Sequence, residues 1–103
     1  MVFIETPIFT EDVTRLLSDD EYLAFQKYLA DNPLVGDVLQ QTGGLRKVRW
    51  SSQGKGKRGG VRVIYYYVTS ASQIRLLLIY KKGIQDDLTS DQRKLVRQLN
   101  EWW

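Results

Sequence analysis

Between Asp37 and Asp86 the chain contains no aspartate or glutamate, yet the same span holds ten lysines and arginines. It is also the part richest in β-branched and aromatic residues, with runs such as VRVIYYYV and QIRLLLIYKK. Any fold must therefore build its sheet from strands that carry charge of one sign. Such a sheet repels itself unless its cations gather where a polyanion can neutralise them. RNA or DNA is the first partner this pattern implies.

The distribution of charge sharpens the point. Residues 1–37 carry a net −6, residues 38–85 a net +10 and residues 86–103 a net −1, which leaves +3 overall. A basic face set on an acidic body orients a polyanion. A length of 103 residues implies a single domain, 1–103. Zero Cys removes disulfides and thiolate chemistry, and zero His removes imidazole catalysis and His-ligated metal. Any chemistry must use Lys, Arg, Tyr, hydroxyls or carboxylates, and no metal or cofactor is expected. No apolar run approaches the roughly 20 residues of a membrane span. The N-terminus, MVFIETPIF, has no basic region followed by a long apolar one. The expectation is a cytoplasmic protein without membrane association.

Local patterns give an order of elements. Val2 to Glu5 is β-branched and aromatic and reads as a first strand, with Pro7 soon after. Thr10 is a candidate N-cap for a short helix with Val13, Leu16 and Leu17 on its apolar side. Ser18 and Glu21 match a capping box for a second helix, whose stripe is Tyr22, Phe25, Leu29 and Tyr28 and which Asn32-Pro33 ends. Asn32 to Gly44 reads as a connector with a turn of helix at Asp37–Gln41. Leu45 to Trp50 is a strand, Ser51 to Gly60 a loop broken by four glycines, and Val61 to Val68 a strong strand. Thr69 to Ser72 is a tight turn and Gln73 to Lys82 the last strand. Asp87 or Thr89 caps a final helix with Leu88, Leu95, Leu99 and Trp102 or Trp103 as its apolar positions. The expected fold is α+β: a small, twisted, mainly antiparallel four-stranded sheet in the order β-α-α-β-β-β-α. The N-terminal helix hairpin covers one face and a C-terminal helix follows.

Strand alternation then places the cations. Leu45, Lys47 and Arg49 share one side of their strand. Arg62, Ile64, Tyr66 and Val68 share a side of the next, and Ile74, Leu76, Leu78, Tyr80 and Lys82 a side of the last. If the register aligns these sides, Lys47, Arg49, Arg62 and Lys82 converge at one end of the sheet; a slip of one residue would scatter them. Arg62 stands in a strand otherwise made of Val, Ile and Tyr. A lone arginine there can simply lay its stem on the sheet and reach water, but three further cations on its side favour an anion site.

The loop with Lys55, Lys57 and Arg58 among its glycines lets backbone approach a phosphate closely. It lacks the Gly-Lys-Ser/Thr and following helix of a P-loop, and a solvated hairpin loop is the plain alternative. Tyr65, Tyr66, Tyr67 and Tyr80 could stack on bases or fill the core. RNA cleavage by its own 2′-hydroxyl needs a proton acceptor, stabilisation of the phosphorane and a proton donor for the leaving oxygen. A lysine among cations suits proton transfer, because neighbouring positive charge lowers its pKa. Arginine is too basic for that but suits the phosphorane oxygens. The same cluster could equally bind without cleaving.

The whole pattern, above all Gly43–Arg49 and Gly54–Tyr66 with LLLIYKK and a terminal helix behind them, resembles the RelE/ParE toxin superfamily and its HigB-type branch. The resemblance implies a ribosome-dependent mRNA interferase, the toxin of a type II toxin–antitoxin pair, cutting mRNA in the A site of the 70S ribosome. It implies catalytic roles for Lys47, Arg49, Arg62 and Lys82. Arg46, Lys55, Lys57, Arg58, Tyr66, Tyr80 and Lys81 would bind RNA or the ribosome. A helix-turn-helix antitoxin of the HigA type is the implied partner of a toxin that is monomeric alone. The chain departs from RelE proper in having no Tyr after its last strand, where Gly83 to Leu88 stand, and no His. Lys47, Lys57 and Tyr80 are therefore the alternatives for the general base. A ParE-like gyrase inhibitor and a non-catalytic RNA- or ribosome-binding module are the competing functions.

Overall fold

A computed structural model describes residues 1–51, 60–81 and 88–101. Strands β1 (Val2–Glu5), β2 (Asp37–Val38), β3 (Arg46–Trp50), β4 (Val61–Val68) and β5 (Gln73–Lys81) form one sheet in the order β1-β5-β4-β3-β2. Helices α1 (Pro7–Leu16) and α2 (Asp19–Asp31) precede β2, and α3 (Ser90–Glu101) follows β5. The α+β order expected from the sequence is thus observed, with five strands in place of four. The added strand is β2, which pairs with β3 where a turn of helix was expected at Asp37–Gln41. The intervening loop returns tightly through Gly43 and Gly44, both at positive φ. The sheet is mixed, because β1 runs parallel to β5 while β2–β3, β3–β4 and β4–β5 are antiparallel.

The first helix begins at Pro7, four residues earlier than a Thr10 cap would allow. Proline fits the first helical position, where the missing N–H would be unpaired in any case. Thr6 is the cap: its hydroxyl accepts from the Phe9 backbone N–H at 3.1 Å. The same hydroxyl donates to the Leu77 carbonyl at 2.8 Å. The start of α2 is as expected, with both halves of the Ser18/Glu21 capping box formed. In α3, Thr89 rather than Asp87 is the cap described: Thr89 and Gln92 exchange side-chain-to-backbone bonds of 2.9 and 3.2 Å. Asp87, Trp102 and Trp103 lie outside the described residues.

Two apolar layers cover the sheet. On one side Phe9, Val13, Phe25 and Leu29 of the helix hairpin pack on Val48, Val61, Val63, Tyr65, Ile74, Leu76 and Ile79. Tyr22 and Tyr28 close this layer, as their helical spacing predicts. On the other side Leu88 and Val96 pack on Leu45, Ile64 and Leu77. Val96 is the buried position of α3, whereas Leu95 is 52% exposed. Leu88 and Leu99 join this layer as expected, while Val96 takes the place expected of Leu95.

A bulge in β5 explains a second difference. Ile64 pairs with Leu78 but Tyr65 pairs with Leu76, so Leu77 is an extra residue on β5. Alternation restarts there. Ile74 and Leu76 face the hairpin, while Leu78 and Tyr80 face α3, so the single set expected from the sequence is split between the two sides.

The hairpin is also tied by polar contacts. Tyr22 donates to Glu5 at the end of β1. Burial first, and then that carboxylate, push the Tyr22 phenol far above its ordinary value of 10.0. Burial raises the Tyr65 phenol as well, although the Gly36 N–H bonded to it acts the other way. Tyr65 donates to the Pro33 carbonyl at 2.8 Å and accepts from Gly36 N at 3.0 Å. A Cβ on Gly36 would lie 2.8 Å from the Tyr65 ring, so this crossing needs glycine.

Two outcomes follow from these contacts. Thr6→Ala loses a helix cap and orphans the bulge carbonyl together, and should cost about 2–3 kcal/mol in urea unfolding. The raised phenols stay protonated in the fold where the unfolded chain would ionise. Stability is therefore full below pH 10 and falls as pH rises from there. Tyr22→Phe should make that alkaline fall shallower in a pH series of unfolding curves.

Candidate nucleic-acid interface

The register brings Arg49 directly opposite Arg62, and Arg62 directly opposite Tyr80. The next row on the same side is Lys47, Ile64 and Leu78. Lys47 and Arg49 are two residues apart on β3, about 7 Å along the strand. Three of the four residues expected to converge therefore do so, on the side that α3 partly covers. Lys82 lies outside the described residues, as do Lys55, Lys57 and Arg58.

The geometry at Arg62 is unusual for an arginine. The residue is only 5% exposed, while Arg49 beside it is exposed. Its one protein hydrogen bond among the described residues is a long one, from Nη1 to the Val61 carbonyl at 3.4 Å. The ion pairs among the described residues join Arg15 to Asp12 and Arg97 to Glu101, and none involves Arg62. A charge withdrawn from water without a counter-ion is costly. A like charge directly across the ladder adds to that cost. An anion entering between Arg49 and Arg62 would remove both penalties and meet a guanidinium fork already held by the strand.

The remaining expected contacts divide. Tyr80 is half-buried beside Arg62, on the same side of the sheet. Lys81 pairs with Val61, so it lies on the hairpin side at the exposed end of β5. Arg46 pairs with Tyr65, also on the hairpin side, and its Nη1 donates to the Leu34 and Gly36 carbonyls at 3.2 and 2.8 Å. It holds the connector between α2 and β2 rather than joining the cluster. Tyr66 sits on the α3 side but at the opposite end, under the Arg75 guanidinium at 5.8 Å. Arg75 itself is engaged with Gln73 and with Asn100 near the C-terminal end of α3. Tyr65 is wholly buried and cannot reach a base. The structure also sets Asp12 and Arg15 of α1 around the cleft that Tyr80 lines, a neighbourhood with no signal in the local sequence.

The chemistry this cluster offers is anion binding by two arginines with a lysine and a phenol at hand. Among the described residues no three carboxylates gather to hold a metal ion, and no helix is long and apolar enough to cross a membrane.

Raising the cost of the empty site predicts a trade between stability and binding. Arg62→Met, similar in length and uncharged, should raise the melting temperature by several degrees, the shift that about 1 kcal/mol gives in a domain of this size. The stabilisation that heparin or a single-stranded RNA gives the wild type should shrink in the variant. A lower melting temperature with an undiminished RNA response would sink the anion-site reading.

No protein-family profile matches the chain. Solved structures do. A free-state E. coli RelE toxin with two arginines changed to alanine superposes with a TM-score of 0.58 at 12% identity, over 82% of this chain and 85% of that one. The isolated E. coli RelE toxin superposes at 0.57 and 12% identity, over 95% and 97% of the two chains. The likeness is one of fold: this chain has the architecture of the RelE toxin.

Proposed function

We propose that this chain is a RelE-like toxin of the HigB type, a ribosome-dependent mRNA interferase that cleaves mRNA in the A site. The observation that carries the reading is Arg62, buried with no carboxylate partner among the described residues and opposed by Arg49. A structural arginine in a sheet pairs with an acid or reaches water; a phosphate would supply the counter-ion that this one lacks among the described residues. The fold shared with RelE supports the same reading, as does the acid-free span in which the cluster lies.

In this reading the scissile phosphate sits between Arg49 and Arg62. The 2′-oxygen attacks phosphorus as its proton leaves, and the bond to the 5′-oxygen breaks as that oxygen gains a proton. The products are a 2′,3′-cyclic phosphate and a 5′-hydroxyl. Arg49 and Arg62 hold the phosphorane oxygens, whose negative charge grows toward the transition state. Lys47, on the same side and one row away, is the proton-transfer group, with Tyr80 beside Arg62 as the competing one. Lys82 and the loop cations Lys55, Lys57 and Arg58 extend the binding to the RNA backbone and the ribosome. The partner that restrains the activity is a helix-turn-helix antitoxin of the HigA type. Toxin and target would meet in the cytoplasm, and the free toxin would be a monomer.

Expression of wild type and Arg62→Ala in a bacterium, with primer extension on a translated reporter, tests the reading. Cuts should fall inside the reading frame. They should vanish with Arg62→Ala and when initiation is blocked, a loss of at least about 100-fold for a group that stabilises developing charge. Growth arrest without cuts would favour gyrase inhibition. Cuts that persist without translation would leave a free ribonuclease.

A further inference from the structure

A cleft of about 160 Å³ lies between α1, the end of β5 and the start of α3, and Tyr80, the ladder partner of Arg62, is one of its walls. We infer that it is a base-reading subsite: it takes a cytosine next to the scissile phosphate and selects it through the Asp12 carboxylate. The inference rests on the nuclease reading and adds its substrate preference.

Four observations carry it. The first is position. Tyr80 lines the cleft and is the residue directly opposite Arg62, so the cleft lies against the strand that neighbours the phosphate-binding arginine. A nucleotide bridging the two would place its phosphate on Arg62 and its base beside Tyr80. The second is shape and surface. Leu16, Leu78 and Ile79 give apolar walls and Tyr80 an aromatic one, the setting in which a base leaves water and stacks. The volume suits a single ring, since a cavity of roughly 150 Å³ takes one benzene-sized molecule.

The third is the carboxylate. Asp12 is 22% exposed and binds Arg15 through Oδ1 at 2.6 Å; Arg15 is 67% exposed. Among the described residues its other oxygen has no hydrogen-bond partner. A carboxylate accepts from the exocyclic N4 amino group of cytosine, whereas uracil presents a carbonyl there and would be repelled. The fourth is charge. An acid next to RNA is ordinarily unfavourable, but Arg15 is paired with it and Lys81 lines the same cleft, which leaves the subsite cationic.

The test is a transcript-wide map of new 5′ ends after brief expression of wild type, Asp12→Asn, Asp12→Ala and Arg62→Ala. Wild-type cuts should be enriched in cytosine at one position flanking the cleaved bond. Asp12→Ala should lower that enrichment roughly tenfold, the effect of one specific hydrogen bond in a site that excludes water. Asp12→Asn, whose amide can donate to a carbonyl, should move the preference toward uracil. Both variants should keep cutting, unlike Arg62→Ala, and should melt within a few degrees of wild type, since an exposed ion pair contributes little to stability. Wild-type cuts without a flanking cytosine, or variant cuts with an unchanged base profile, would overturn the inference and leave the nuclease standing. Absence of cuts from the wild type would remove both.

Discussion

The hydroxyl of Thr6 joins two features on which the rest of the sheet depends. It caps α1 by accepting from Phe9, and it satisfies the carbonyl of Leu77, the extra residue in β5. Thr6 is itself almost wholly buried. A bulge leaves a residue out of the ladder, and a buried carbonyl left unpaired is expensive. The hydrogen bond thus fixes where alternation restarts along β5. Upstream, Ile74 and Leu76 fill the layer under the helix hairpin; downstream, Leu78 and Tyr80 face α3. Without that change of phase, either the hairpin layer would lose its apolar floor or Tyr80 would turn away from Arg62.

The helix hairpin and the basic cluster are therefore coupled through one strand. β5 gives one side to a dense core and the other to a thinner layer held by Leu88, Val96 and the bonds of Arg75 to Asn100. Arg62 lies at the far end of that thinner layer from Tyr66 and Arg75. There Tyr80 is half-buried and Arg49 is exposed. The dense layer carries the stability that lets a buried guanidinium persist without an ion pair among the described residues. Functional sites commonly hold such locally unfavourable arrangements, with the surrounding structure over-determining them.

Much of this was legible in the chain. Capping at Ser18, the stop at Asn32-Pro33, and the strands at Val61–Val68 and Gln73 onward follow from local propensity and short-range hydrogen bonding, which the sequence carries in full. The convergence of Lys47, Arg49 and Arg62 followed from period-two alternation, because β3 and β4 pair without a bulge over that span. The errors arose where a distant residue decided the outcome. Thr6 rather than Thr10 caps α1 because Leu77 draws it into place. Asp37–Val38 is a strand because β3 offers it a ladder.

The sequence by itself determined the types of the elements other than β2, the acid-free basic span and the absence of imidazole and thiol, because these depend on composition and on neighbours within a few residues. Only the tertiary structure decided that Arg62 is buried with no carboxylate among the described residues beside it, that Tyr80 stands opposite it, and that Asp12 of the first helix meets the end of the last strand. Those are relations between segments up to about seventy positions apart in the chain. Strand register, a single bulge and the packing of α1 against β5 set them, and none of the three is written in a local pattern.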